Sequence, residues 1–144
     1  MRLKSLLLSC LSLLVLSLPA AAGQLVFWRF DTNANQLHFR TNAGVQPKAM
    51  LIFNPTRLVI DLPGTDFNSR TVKKTSLSGT IQSLRVGQLD DQTARLVIEL
   101  KPGYTLDPQK VLFRGASPRQ WSVQLPKPER IDERAVQAPL NPSL

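Results

Sequence analysis

The sequence predicts an all-β fold: a β-sandwich of two similar antiparallel sheets with an internal pseudo-repeat. Three observations carry that expectation. The stretch Arg57-Leu58-Val59-Ile60-Asp61-Leu62-Pro63-Gly64 returns almost letter for letter as Arg95-Leu96-Val97-Ile98-Glu99-Leu100-Lys101-Pro102-Gly103. Both copies alternate, with Leu58, Ile60 and Leu62 on one side and Arg57, Val59 and Asp61 on the other, the period of a half-buried strand. Finally, about eight strand-like runs are spaced by turn residues, and none keeps a 3.6-residue apolar period for the length of a full helix. An eight-stranded closed barrel would satisfy the same pattern.

The N-terminus is read apart from the rest. Arg2 and Lys4 precede an apolar run from Leu6 to Leu18, and Pro19-Ala20-Ala21-Ala22 supplies the small residues of a signal-peptidase site. Residues 1–22 therefore read as a cleavable secretory signal, the run being too short to span a bilayer comfortably. Cys10 lies inside that run with almost no apolar stretch ahead of it, a poor setting for a lipoprotein anchor. It is the sole cysteine, so the mature chain would hold no disulfide, thiol nucleophile or thiolate metal site. An exported chain without disulfides suits a bacterial envelope, with a periplasmic location, better than a small disulfide-stapled domain.

The mature chain is one domain's worth of sequence. Losing Arg2 and Lys4 leaves sixteen basic against ten acidic residues, a formal charge of +6. That balance either keeps the protein soluble or favours an anionic partner such as a wall polymer or an acidic lipid surface. Export argues against nucleic acid.

In order, Leu25 to Phe30 reads as an aromatic-rich strand, Asp31 to Asn35 as a turn, and Gln36 to Arg40 as the return strand. On that strand Leu37 and Phe39 point inward and His38 outward. Lys48 to Phe53 is the next strand, and Asn54-Pro55-Thr56 turns it into the first motif copy. Thr65 to Gly79 is a polar connection with room for a short edge strand around the Lys73-Lys74 pair, whose charges discourage edge pairing. Ile81 to Gln88 follows, with Leu84 and Val86 inward, Arg85 outward, and Gly87 expected to mark a bulge or bend. Leu89 to Gln92 turns into the second copy. Tyr104 to Leu106 is a short strand, and Lys110 to Arg114 pairs with Arg119 to Leu125, a looser third version of the motif. From residue 127 to 144 the apolar period fails and prolines recur, so the domain is placed at 23–126 with a disordered tail behind it.

Chemistry can be tested by subtraction. One histidine, His38, sits mid-strand without a partner, which argues against a metal site and a Ser-His-Asp triad. Asp61 and Glu99 are the carboxylates that the repeat makes equivalent; in opposite halves of the fold they would face away from each other, unlike a glycosidase pair. No cofactor is implied, and the chain reads as a non-enzyme. The outward residues remain. Alternating Arg and acid on a strand commonly form cross-strand ion pairs worth about 0.2–1 kcal/mol. They can also hydrogen-bond a polar polymer, guanidinium to carboxylate and carboxylate to hydroxyl or amide.

Arg57 to Gly64, preceded by Asn54-Pro55, resembles the signature strand of AMIN domains, and Ser83 to Gln88 running into Arg95 to Leu100 resembles their second half. The resemblance covers about Leu25 to Pro126. It implies a periplasmic β-sandwich that binds peptidoglycan and places a partner domain on the wall, as in N-acetylmuramoyl-L-alanine amidases and secretins. Members usually carry a catalytic or pore domain downstream, whereas this sequence runs into a short proline-containing tail, so the resemblance implies no amidase activity.

The first expectation is a peptidoglycan-binding module that binds through Arg57, Asp61, Arg85, Gln88, Arg95 and Glu99. The alternative is an adaptor that docks a separate envelope protein, such as an amidase or secretin, by a strand edge or the tail. No transmembrane anchor is expected in either case.

Overall fold

Alternating apolar and polar residues lay the chain out as strands almost from end to end. The structure, a computed structural model, describes residues 23–131. The expected signal at 1–22 and residues 132–144 of the tail lie outside the described residues. In chain order the strands are β1 (Gly23–Asp31), β2 (Gln36–Thr41), β3 (Lys48–Ile52), β4 (Arg57–Pro63), β5 (Thr65–Asp66), β6 (Lys73–Ser76), β7 (Ile81–Asp90), β8 (Thr93–Leu100), β9 (Tyr104–Thr105), β10 (Leu112–Ser117), β11 (Gln120–Gln124) and β12 (Glu129–Arg130). A 3-10 turn at Pro108–Lys110 is the one helical element among the described residues. Asp107 caps it by accepting from the Gln109 N–H.

The fold is all-β, but its sheets are not separate. Ten strands form one hydrogen-bonded sheet, running β10-β11-β2-β1-β5-β8-β4-β3, with β7 also pairing β8 and β6 pairing β7. The joint is β5. Gly64, at φ 69°, turns the chain out of β4, and its carbonyl accepts from the Gly23 N–H. Thr65 then pairs in parallel with Gly23 of β1 and with Thr93 of β8. Two residues thus splice the halves that were expected to stand apart. The sheet curls until its free ends approach one another: a shallow gap is lined by Ala49 and Leu51 of β3 and by Val111 and Phe113 at β10. No ladder joins β3 to β10, so the curl does not close into a barrel.

One core fills the curl. Leu37, Phe39 and Val123 from one half meet Ile60, Leu62, Val86, Leu96, Ile98 and Leu100 from the other, all essentially inaccessible to water. Fully burying such a side chain is worth about 1.5–3 kcal/mol. The inward alternation expected of Leu58, Ile60 and Leu62 and of Leu84 and Val86 is what the core contains.

Other expectations need correction. The motif copies do not occupy opposite halves: they are β4 and β8, antiparallel neighbours in one sheet. Gly87 makes no bulge, since it pairs regularly with Arg95; the register shifts of β7 lie at Ile81/Ser83 and Gln88/Asp90. Its missing side chain instead admits Val72, whose Cγ2 would stand 3.1 Å from a Cβ at that position. Order also continues past Pro126, because Glu129 and Arg130 pair with Thr105 and Tyr104, and the Ile131 N–H donates to Gly103 O.

Candidate functional site

The site follows from the register of two nearly identical strands. Each copy carries an arginine and, four residues on, an acid. Laid antiparallel about Val59 opposite Val97, the copies set Arg57 opposite Glu99 and Asp61 opposite Arg95. Directly opposite residues share a face, so both arginines, both acids and both valines stand together on the outer side of the sheet. Arg85 of β7 joins them opposite Val97.

The charges then sort into pairs. Asp61 accepts from Arg95 Nε at 2.6 Å and Nη2 at 2.9 Å, a two-point contact. That hydrogen bond raises the Arg95 pKa against the opposing effect of desolvation, with attraction from Asp61 and Asp90 adding to it. Glu99 could take either Arg57 or Arg85, and it accepts from Arg85 Nη2 at 2.9 Å. Arg57 is left over. It has no carboxylate partner among the described residues, and its Nε makes only a long 3.4 Å contact to Pro55 O.

Between these arginines lies an apolar floor. Val59 is 3% exposed yet belongs to no part of the inner core, because its neighbours on the outer face cover it. With Val97, Gly87, Val72, Leu89 and Ile52 it floors a trough of about 370 Å³ rimmed by Arg57, Arg85 and Arg95. Such a surface offers apolar contact to the body of a ligand and guanidinium donors to its acceptors.

Of the six expected site residues, five share this face: Arg57, Asp61, Arg85, Arg95 and Glu99. Gln88 is placed differently. It pairs with inward-facing Ala94, its Oε1 accepts from the Phe67 N–H at 2.7 Å, and its Nε2 donates to Asp90 O at 2.7 Å. It touches the trough's rim, but its amide is engaged in holding the loop after β5. Sequence reasoning assigned Val59 and Val97 to the outer face without seeing that they make a floor; the signal was two β-branched residues at equivalent outward positions. A recess elsewhere, lined by Asn35, Thr80, Gln124 and Lys127, has its amides occupied: Asn35 Nδ2 donates to Leu125 O and Pro126 O, and Gln124 Nε2 donates to Ala34 O.

Among the described residues no three His, Cys, Asp or Glu side chains cluster as metal ligands would. Both acids of the site are held by arginines, Asp61 by Arg95 and Glu99 by Arg85.

The family model described as AMIN domain matches residues 24–125, nearly all of the described chain. No curated protein matches the sequence.

Proposed function

This chain belongs to the AMIN domain family, whose members are periplasmic, non-catalytic peptidoglycan-binding modules, and on that footing we propose that it binds peptidoglycan through the outer face of β4, β8 and β7. The observation that carries the reading is Arg57. It is a half-buried guanidinium without a carboxylate partner among the described residues, at the edge of an apolar trough whose other arginines are already paired. An unpaired guanidinium presents planar donors to a carboxylate or amide oxygen of the ligand. Arg85 and Arg95 keep further donors, and Asp61 and Glu99 keep acceptor capacity for hydroxyl or amide hydrogens. No helix among the described residues is long and apolar enough to cross a membrane, and the reading places the mature protein in the periplasm after removal of residues 1–22.

Sedimentation with purified insoluble sacculi tests the proposal. The mature chain should pellet with intact sacculi and return to the supernatant once they are digested. Absence of sedimentation would sink the wall-binding reading.

One observation favours a second reading, docking of an envelope protein. Strand β3 is a free end of the sheet, and Met50 on it and Phe53 just beyond are 49% and 58% exposed. An unpaired edge with apolar side chains can take up a partner's strand. A complex that survives sacculus digestion and is lost on Met50→Lys with Phe53→Lys would assign the edge to that role.

A further inference from the structure

The other half of the curled sheet has an outer face of its own, and its charges are not paired. Register aligns Arg29 of β1 with His38 of β2, His38 with Ser122 of β11, and Ser122 with Arg114 of β10. These side chains form one row running across four strands. Alongside it runs a second row of Phe27, Arg40 and Gln120. The outward direction is fixed by the alternating residues Leu37, Phe39 and Val123, which are core.

Arg29, Arg40 and Arg114 are all exposed, and none forms an ion pair among the described residues. One acid shares the face, Asp31, and it is committed to its own turn, accepting from the Asn33 and Ala34 N–H groups at 2.9 and 3.1 Å. Phe27 is 38% exposed, with the Arg40 guanidinium 5.1 Å from its ring centre. Two shallow troughs meet at His38, one lined by Phe27, Arg29 and Arg40 and the other by Arg114 and Ser122, with Gln120 on both.

We infer that this row is a second binding site, one that takes a short extended peptide bearing separated carboxylates. Neighbouring strands lie about 4.8 Å apart, so the backbones at Arg29 and Arg114 are about 14 Å apart. An extended peptide advances about 3.3 Å per residue, and about four residues span that distance. The row's chemistry follows the same pattern. Guanidinium groups at its two ends match carboxylates, while His38 and Ser122 between them, with Gln120 alongside, match peptide N–H and C=O groups. A phosphate polymer or an anionic membrane would be better served by contiguous charge. Resting on the wall-binding reading above, the inference assigns the acidic stem peptide of peptidoglycan to this face, not to the repeat face, where two of three arginines are already neutralised.

The test uses the mature wild-type chain and two variants: Arg29→Gln with Arg114→Gln, and Lys101→Gln with Lys110→Gln, a control that removes the same charge from exposed residues lining none of these troughs. All the substituted side chains are at the surface, and thermal melting checks that each variant is folded. The probes are stem tetrapeptide released from sacculi, the same peptide with its carboxyl groups amidated, anionic phospholipid vesicles, and intact sacculi. The inference expects the wild type and the Lys101/Lys110 control to bind the free peptide alike. Both amidation and the Arg29/Arg114 change should weaken peptide binding about tenfold or more. Equal binding of native and amidated peptide, full binding by the Arg29/Arg114 variant, or a preference for vesicles over peptide would overturn it. Sedimentation of the wild type with intact sacculi reports separately on the wall-binding reading, so the two fail independently.

Discussion

Asp61 faces Arg95 across adjacent strands and grips its guanidinium at two points, 2.6 and 2.9 Å apart from it. This contact follows from the register in which the two copies of the motif pair. A strand reading arginine, three residues, acid is self-complementary in register when laid antiparallel on its own copy: each arginine stands opposite the other copy's acid, and at Arg95 the contact closes. Repetition here specifies pairing and register as well as strand formation. The pair's strength is testable by a double-mutant cycle. Asp61→Ala and Arg95→Ala should each lower stability, with a coupling energy of about 1 kcal/mol by denaturant unfolding. The one-point Arg85–Glu99 pair should couple less. Equal couplings, or none at Asp61–Arg95, would contradict the register argument.

Arg57 should behave in the opposite way. With no carboxylate partner among the described residues, Arg57→Ala should change stability by no more than about 0.5 kcal/mol. Affinity for sacculi should nevertheless fall about tenfold, the loss expected when one charge-assisted hydrogen bond to ligand is removed. Binding isotherms and melting curves on the same preparations separate the two effects.

Gln88 provides the reverse control. Removing its side chain takes away the acceptor of the Phe67 N–H, on a residue that is itself buried. Gln88→Ala should cost about 1–3 kcal/mol in denaturant unfolding and leave sacculus binding by the folded protein unchanged. Loss of binding without loss of stability would return Gln88 to the ligand site.

The contrast between Arg57 and Gln88 marks how far the sequence could be read. Period-two alternation identified the long strands and their inward faces, because burial of Leu58, Ile60, Leu84 and Val86 needs nothing beyond that period. It could not reveal β5, since two residues have no period, and the splice between the halves therefore went unseen. Gln88 was misplaced although period two, which turns Leu84 and Val86 inward, carries Gln88 opposite inward-facing Ala94 as well; the hydrogen bonds that engage its amide are made to loop residues that no period reveals. The acid that Glu99 offers could go to Arg57 or Arg85, and only three-dimensional geometry decides which arginine stays free. The row from Arg29 to Arg114 is likewise assembled from four strands far apart in the chain, so only the register brings it together.

A further prediction concerns acid. In the folded chain Asp31 has its pKa lowered below the ordinary 3.8, chiefly by the hydrogen bond from the Ala34 N–H, with burial opposing and the Asn33 N–H, Arg29 and His38 assisting. A depressed carboxylate contributes stability that is complete above its unfolded value and lost as pH falls through the folded one. The wild type should therefore melt higher than Asp31→Asn by a constant margin above about pH 5, and the margin should shrink below 3.8. A margin that widens in acid would contradict this assignment.

The central claim is that a guanidinium left without a carboxylate partner by the pairing of two repeated strands binds the wall polymer. Quantitative sedimentation of the mature protein with purified sacculi, wild type beside Arg57→Ala, tests it most directly. The account predicts saturable sedimentation of the wild type and about tenfold weaker sedimentation of the variant, with the two melting alike. Sedimentation of Arg57→Ala as complete as that of the wild type across the whole titration would contradict it.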